Sequence, residues 1–341
     1  MHIWPEARLA TAPETTLATQ TRLASVRPTL GQMRIVSLLP SATEIVCALG
    51  LRDELVGVTH ECDWPPEVVG LPVMTSNALD LVGATSREIN RRVGEAGHGG
   101  SAIYHLDEAA LEEADADLIL TQELCAVCAV GYREVNEVAR AIDADTTVVS
   151  LEPTSIEGIL NSISTVGAMT DAEEAAIDVV ADLRERLKKL ETRLAKRRDR
   201  GQAPVRVAGL EWLDPPFAVG HWVPEQIRRA GGWDLLGHEG EASVRTTWDA
   251  VREVDPEMLV LMPCGFHLQE TVAEWERTPR PAFWRELEAV RRGQVFAVDG
   301  SAYFSRPGPR VIDGVGLLAE IFDPDGFVDI APPGSWTPVQ A

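Results

Sequence analysis

Short apolar runs punctuated by Gly and Pro alternate with stretches whose apolar residues recur every three or four positions, a rhythm that predicts strands followed by helices. Residues 34–39, 56–59, 118–121 and 148–151 read as strands, and residues 43–49, 86–95, 107–113 and 155–169 as helices. Ser41-Ala42-Thr43-Glu44 has the spacing of a capping box, and Gly97 to Gly100 reads as a loop. From 171 to 200 the pattern becomes one amphipathic helix with Ile177, Val180, Leu183, Leu187, Leu190 and Leu194 on its apolar stripe. At 1.5 Å per residue it extends about 45 Å, enough to span two lobes. Beyond Gly201 the rhythm resumes, with strands at 205–209, 217–220, 259–262 and 295–298 and helices at 223–230, 248–254, 268–277 and 311–322. The expected fold class is therefore α/β: two Rossmann-like lobes, each a mainly parallel sheet with flanking helices, joined by one long backbone helix. The divisions are a disordered N-terminal leader at 1–32, an N-terminal lobe at 33–169, the interlobe helix at 170–201, a C-terminal lobe at 202–325 and a tail at 326–341.

Charge narrows the function classes. A net charge of −22 over 341 residues argues against a nucleic-acid partner, which needs clustered Lys and Arg; only the run from Leu187 to Arg200 is basic. No stretch approaches the roughly 20 apolar residues of a membrane span. Residues 1–32 mix Thr, Pro, Arg and Gln without an export-type apolar core, and Met33, just before the first strand, is a candidate start. These features predict a cytoplasmic protein, in which clustered cysteines favour metal or redox chemistry over structural disulfides.

Four of the five cysteines, Cys62, Cys125, Cys128 and Cys264, fall just beyond the carboxyl ends of predicted strands, where α/β folds bind ligands. The spacing Cys125-x-x-Cys128 lets two sulfurs face one ion across a tight turn. If the fold brings Cys62 and Cys264 alongside, four thiolates could hold zinc or an iron–sulfur cluster, with His60 and His267 in reserve. The same residues also fit a dithiol redox pair or small hydrophobes lining a pocket. Cys47, inside a helix, reads as core. There is no Gly-x-Ser-x-Gly elbow, phosphate loop or dinucleotide fingerprint, and Glu61 is the single carboxylate that stands out as an acid or base.

The ordered segments 34–44 (RIVSLLPSATE), Asp63-Trp64-Pro65-Pro66, Ala116-Asp117-Leu118-Ile119-Leu120, Pro215-Pro216-Phe217 with Gly220, Gly231-Gly232 and 304–310 (FSRPGPR) resemble the class III substrate-binding proteins of ABC importers, in particular the cobalamin-binding branch. The resemblance runs from Met33 to Phe322. It implies a two-lobed clamp holding cobalamin, another corrinoid or a related metal chelate between the lobes, with an ABC permease as partner. By position, His60, Trp64, Trp212, His221, Trp222, Tyr303 and Phe304 would line the ligand site, with Trp64, Trp212, Trp222 and Tyr303 as the stacking surface. Cys62, Cys125, Cys128, Cys264 and His267 would be the metal ligands of the alternative, a cytoplasmic metalloprotein or enzyme carrying an iron–sulfur cluster or zinc in the same cleft. The chain departs from importer receptors in lacking an export signal. Of the two acidic docking positions, Glu108 lies near the first, whereas the second falls at Trp248, with Asp249 beside it.

Overall fold

The computed structural model describes residues 32–81, 83–99, 103–122, 132–142, 145–199 and 201–340. The chain divides into Met1–Gln32 and Met33–Ala341, and the architecture below is that of the second unit; the expected leader lies outside the described residues but for Gln32.

Among the described residues the N-terminal lobe is built on a four-stranded sheet. Its strands are β1 (Ile35–Ser37), β2 (Leu55–Gly57), β5 (Leu118–Thr121) and β6 (Thr147–Ser150), in the order β2-β1-β5-β6 and all parallel. Ile35, Val36, Leu118, Ile119 and Leu120 are buried, as expected of a parallel sheet covered on both faces, whose strands are continuous apolar runs. A separate antiparallel pair, β3 (Thr75–Asn77) and β4 (Tyr104–Leu106), lies beyond β2 in sequence. The C-terminal lobe carries the larger sheet. There β7 (Val205–Leu213), β11 (Met258–Leu261) and β12 (Val295–Val298) run parallel at the centre. β9 (Gly232–Asp234) joins β7 in parallel, and β8 (Pro216–Ala218), β10 (Val244–Arg245) and β13 (Trp336–Pro338) add antiparallel edges. The expected tail at 326–341 is thus part of this lobe: Trp336 sits opposite Val298, and Phe327 is buried in the core.

The helix Glu173–Asp199 follows the helix Ile156–Met169 after a tight turn. Its buried stripe is Ala176, Val180, Leu183, Leu187, Leu190 and Leu194, each large member removing about 1.5–3 kcal/mol worth of apolar surface from water. Ile177, expected on that stripe, is 67 % exposed. Ala176 takes its place because the two helices pack so closely that a Cβ on Gly167 would lie 2.5 Å from the Ala176 Cβ.

The lobes repeat one device. Short helices Glu108–Ala114 and Trp248–Val254 are each capped by the preceding side chain, Asp107 accepting from Ala110 N and Thr247 from Ala250 N. Each ends at an aspartate in the left-handed region, Asp115 (φ 45°) and Asp255 (φ 38°), and each feeds a central strand. An arginine at the start of the neighbouring strand then reaches the helix's last carbonyls: Arg34 donates to Ala114 O at 2.7 Å, and Arg206 to Asp255 O at 3.0 Å. The guanidinium satisfies orphan carbonyls and opposes the negative helix end.

Candidate functional site

The lobe boundary is charged, and it is built from a helix and from loop segments that follow strands and helices. The helix Pro40–Ala48 starts with Pro40 at its first turn and has no side-chain cap, so Ser41-Ala42-Thr43-Glu44 does not form the expected box. Glu44 instead projects, 3 % exposed, onto the C-terminal lobe, where Arg310 grips both its oxygens (2.5 and 3.0 Å) and Arg306 lies 3.5 Å away. Arg306, itself 7 % exposed, also donates to the Glu61 carbonyl at 3.2 Å and pairs with Asp63 Oδ1. The other Asp63 oxygen accepts from His267 Nε2 at 3.0 Å, and His267 Nδ1 is held by Asp299 at 3.0 Å. Six groups of alternating sign therefore run from Asp299 through His267, Asp63, Arg306 and Glu44 to Arg310, with Glu44 and Asp63 supplied by one lobe and the rest by the other.

Geometry sets the protonation states. Hydrogen bonds to Asp299 and Asp63 outweigh burial and push His267 up to about 10, so the ring is an imidazolium donating from both nitrogens. Burial would raise Asp63, but the bonds from His267 and Arg306 hold it well below the usual carboxylate range. Because His267 is raised on folding, its contribution to stability is complete below its ordinary value near 6.5 and is lost as pH rises through about 10. The difference in urea midpoint between the wild-type protein and His267→Gln should accordingly shrink between pH 6.5 and 10.5; a difference constant across that range would show that the ring is not charged at neutral pH.

Two more carboxylates cross the boundary. Glu274, 1 % exposed, accepts from Ser86 N at 2.7 Å at the start of the helix Ser86–Gly99, and Glu225 accepts from Ile156 N at 2.8 Å at the start of Ile156–Met169. Each gives the positive end of a helix in the facing lobe a negative partner. Trp212 Nε1 donates to Ser86 O at 3.0 Å, and Arg87 pairs with Asp214 at 2.9 Å.

The expected ligand-site residues separate into two groups. Trp64 is 45 % exposed, and the Arg310 guanidinium lies 5.1 Å from its ring and 5.7 Å from that of Tyr303. Trp212 is half-buried with its edge against Phe266. His60 is fixed by Thr75 Oγ1 at 2.8 Å and faces Tyr104; Glu61, with Oε1 3.4 Å from Nε2, raises its pKa, although that contact is too long for a well-formed hydrogen bond. His221, in the left-handed region at φ 54°, is half-buried, and burial lowers its pKa. Trp222 and Phe304 form the second group: they are 6 % and 3 % exposed, and Trp222 Nε1 donates to the Phe304 carbonyl. Both belong to the buried cluster that also contains Leu39, Ala42 and Ile45 of the N-terminal lobe.

Of the expected metal ligands, Cys62, Cys264 and His267 lie among the described residues. Cys62 Sγ is hydrogen-bonded to Thr43 Oγ1 (3.1 Å) and Thr59 Oγ1 (3.2 Å) and packs against the core, and burial raises its pKa. Cys264 follows β11 and donates its backbone N–H to Glu211 O, while His267 is committed to two carboxylates. Among the described residues no three His, Cys, Asp or Glu side chains are grouped to hold a metal ion. Cys125 and Cys128 lie outside the described residues. Trp248, the second expected docking position, packs against Trp275 and Trp284, whereas Asp249 beside it and Glu108 are exposed. Arg306 and Arg310, which organise the boundary, were visible in sequence only as members of the Phe304–Arg310 segment.

Comparisons with known proteins agree with this architecture. A substrate-binding lipoprotein of an ABC transporter from Bacillus subtilis is 25 % identical over 299 residues, covering 86 % of this chain and 81 % of the relative. The vitamin B12-binding protein of Vibrio cholerae is 25 % identical over 288 residues, covering 83 % and 86 %. The periplasmic haem-binding protein of Pseudomonas aeruginosa superposes with a TM-score of 0.62 at 20 % identity, covering 86 % of this chain and 93 % of that structure. The model of the periplasmic binding protein family matches residues 129–302, just over half of the sequence, and the chain belongs to that family.

Proposed function

We propose that the protein binds a flat metal chelate, a corrinoid or a related macrocycle, between its lobes. The observation that carries this reading is the exposed Trp64 indole at the lobe boundary, sharing the Arg310 guanidinium with Tyr303. A flat amphipathic face with a polar neighbour suits a macrocycle, and a relative and a structural neighbour are described as binding vitamin B12 and haem. The helices anchored across the boundary by Glu225 and Glu274 support a stiff clamp. An ABC permease would be its partner if the protein works outside the membrane, with Glu108 and Asp249 as the exposed acids it would meet.

The test is titration of the full chain with cyanocobalamin and with haemin, followed by tryptophan fluorescence and calorimetry. Saturable one-to-one binding of either, weakened about 30-fold by Trp64→Ala as for an aromatic anchor of about 2 kcal/mol, is expected; binding of neither sinks the reading. For location we propose the cytoplasm, where clustered cysteines stay reduced. Fractionation decides, since recovery outside the cell membrane would make the protein an importer receptor.

A further inference from the structure

We propose that Asp63 is an internal stand-in for an anionic group on the cargo: its carboxylate occupies a clamp made by His267 and Arg306, which a cargo carboxylate or phosphate takes over on binding. This deepens the chelate reading and rests on it for the identity of the cargo.

The clamp has the geometry of a two-point carboxylate site. Arg306 donates to Asp63 Oδ1 and His267 Nε2 to Oδ2 at 3.0 Å, one oxygen for each cation, and charge-assisted bonds of this kind are the strong ones. The cations belong to one lobe and the carboxylate to the other. The clamp is held from behind: Asp299 fixes the far nitrogen of His267, while Glu44 and the Glu61 carbonyl hold Arg306. The side chains of Arg306 and Glu44 are 7 % and 3 % exposed, whereas those of Asp63 and His267, 42 % and 47 % exposed, are open to solvent. Because each cation has a further partner behind it, the carboxylate is the member that can leave while His267 and Arg306 stay in place.

Charge points the same way. With Asp63 withdrawn, His267 keeps Asp299 as its direct carboxylate partner, and Arg306 keeps Glu44, which it shares with Arg310. Leaving a buried guanidinium short of its partner is costly, so an incoming anion is favoured there. Trp64 follows Asp63 directly in the chain and is 45 % exposed. A cargo with its flat body on Trp64 and an acidic edge reaching the clamp would satisfy both features.

The clamp can be tested without any chelate. Asp63→Ala should melt below wild type, and sodium acetate should raise its melting temperature beyond matched sodium chloride, by the linkage expected of a ligand that binds only the folded state. The wild-type protein, whose own carboxylate fills the site, and Asp63→Ala carrying His267→Gln should show no such acetate-specific rise. An equal response of all three, or no response of Asp63→Ala, overturns the proposal. Asp63→Asn, which keeps the shape and loses the charge, guards against a packing artefact and should not respond. The cargo arm compares haemin, which has two carboxylates, with its dimethyl ester. Asp63→Ala should bind haemin about tenfold more tightly than wild type, because the occupied clamp taxes apparent affinity, with no gain for the ester. Equal tightening of both, or none where haemin binds, also overturns it. Acetate rescue with neither cyanocobalamin nor either porphyrin bound would leave the clamp standing and remove the chelate reading; macrocycle binding without rescue would do the reverse.

Discussion

Glu44→Gln should cost the protein about 3–5 kcal/mol, the range for removing one partner of a buried ion pair. The substitution keeps size and hydrogen-bonding shape, but it leaves Arg310 and Arg306, 16 % and 7 % exposed, facing a neutral amide. Desolvation of both guanidinium groups was offset by that one carboxylate, with Asp63 assisting at Arg306 alone. At about 2–4 °C per kcal/mol for a chain this large, the calorimetric midpoint should fall by on the order of 10 °C. The pair Glu44→Leu with Arg310→Met should recover part of the loss, since it removes the Arg310 charge together with its partner and leaves Arg306 with Asp63 alone. A fall below about 2 °C for Glu44→Gln would show that water screens the boundary, as it does for surface pairs worth at most about 1 kcal/mol.

Glu44 also marks where sequence reasoning stops. Its spacing from Ser41 fits a capping box, and local rules cannot see that two arginines more than 250 residues away need a counter-charge. Elements with strong local signals were legible: Trp248–Val254, Leu268–Arg277, Val295–Val298 and Val311–Phe322 have the bounds their periodicity and flanking Gly or Pro predict. The two-lobe α/β order and the long helix were legible too, because apolar periodicity extends over many residues there. The strands β3, β4, β9, β10 and β13 were not, since they lack the longer apolar run that marks β1 and β2, which are as short. Thr75-Ser76-Asn77 has no apolar alternation and is a strand only because Tyr104–Leu106 lies against it. The cysteines stood out by spacing, but side-chain direction is set by packing, and Thr43 and Thr59 claim Cys62. His267 was singled out as a metal ligand, and its two aspartate partners come from segments with no local relation to it.

Trp275→Ala carries the other large effect and connects core packing to the boundary. Trp275 is 1 % exposed, with ring centroids of Trp284 and Trp248 at 5.2 and 6.4 Å and the Arg280 guanidinium 3.4 Å from its own. Burial in that setting lowers Arg280 to about 10, so the cluster already bears the cost of holding a partly desolvated cation against an aromatic face. Truncation opens a large cavity and removes that face, and a loss of about 3–5 kcal/mol is expected, read as a lower urea midpoint with unchanged slope. Trp275→Phe, which keeps an aromatic face, should lose less. The helix Leu268–Arg277 has His267 as its N-cap and carries Glu274, the residue that holds Ser86 across the boundary. Loosening it should also weaken chelate binding, through His267 and Glu274. A Trp275→Ala protein that loses stability but binds cyanocobalamin or haemin as tightly as wild type would show that the anchoring of this helix has no part in setting the geometry of the cleft.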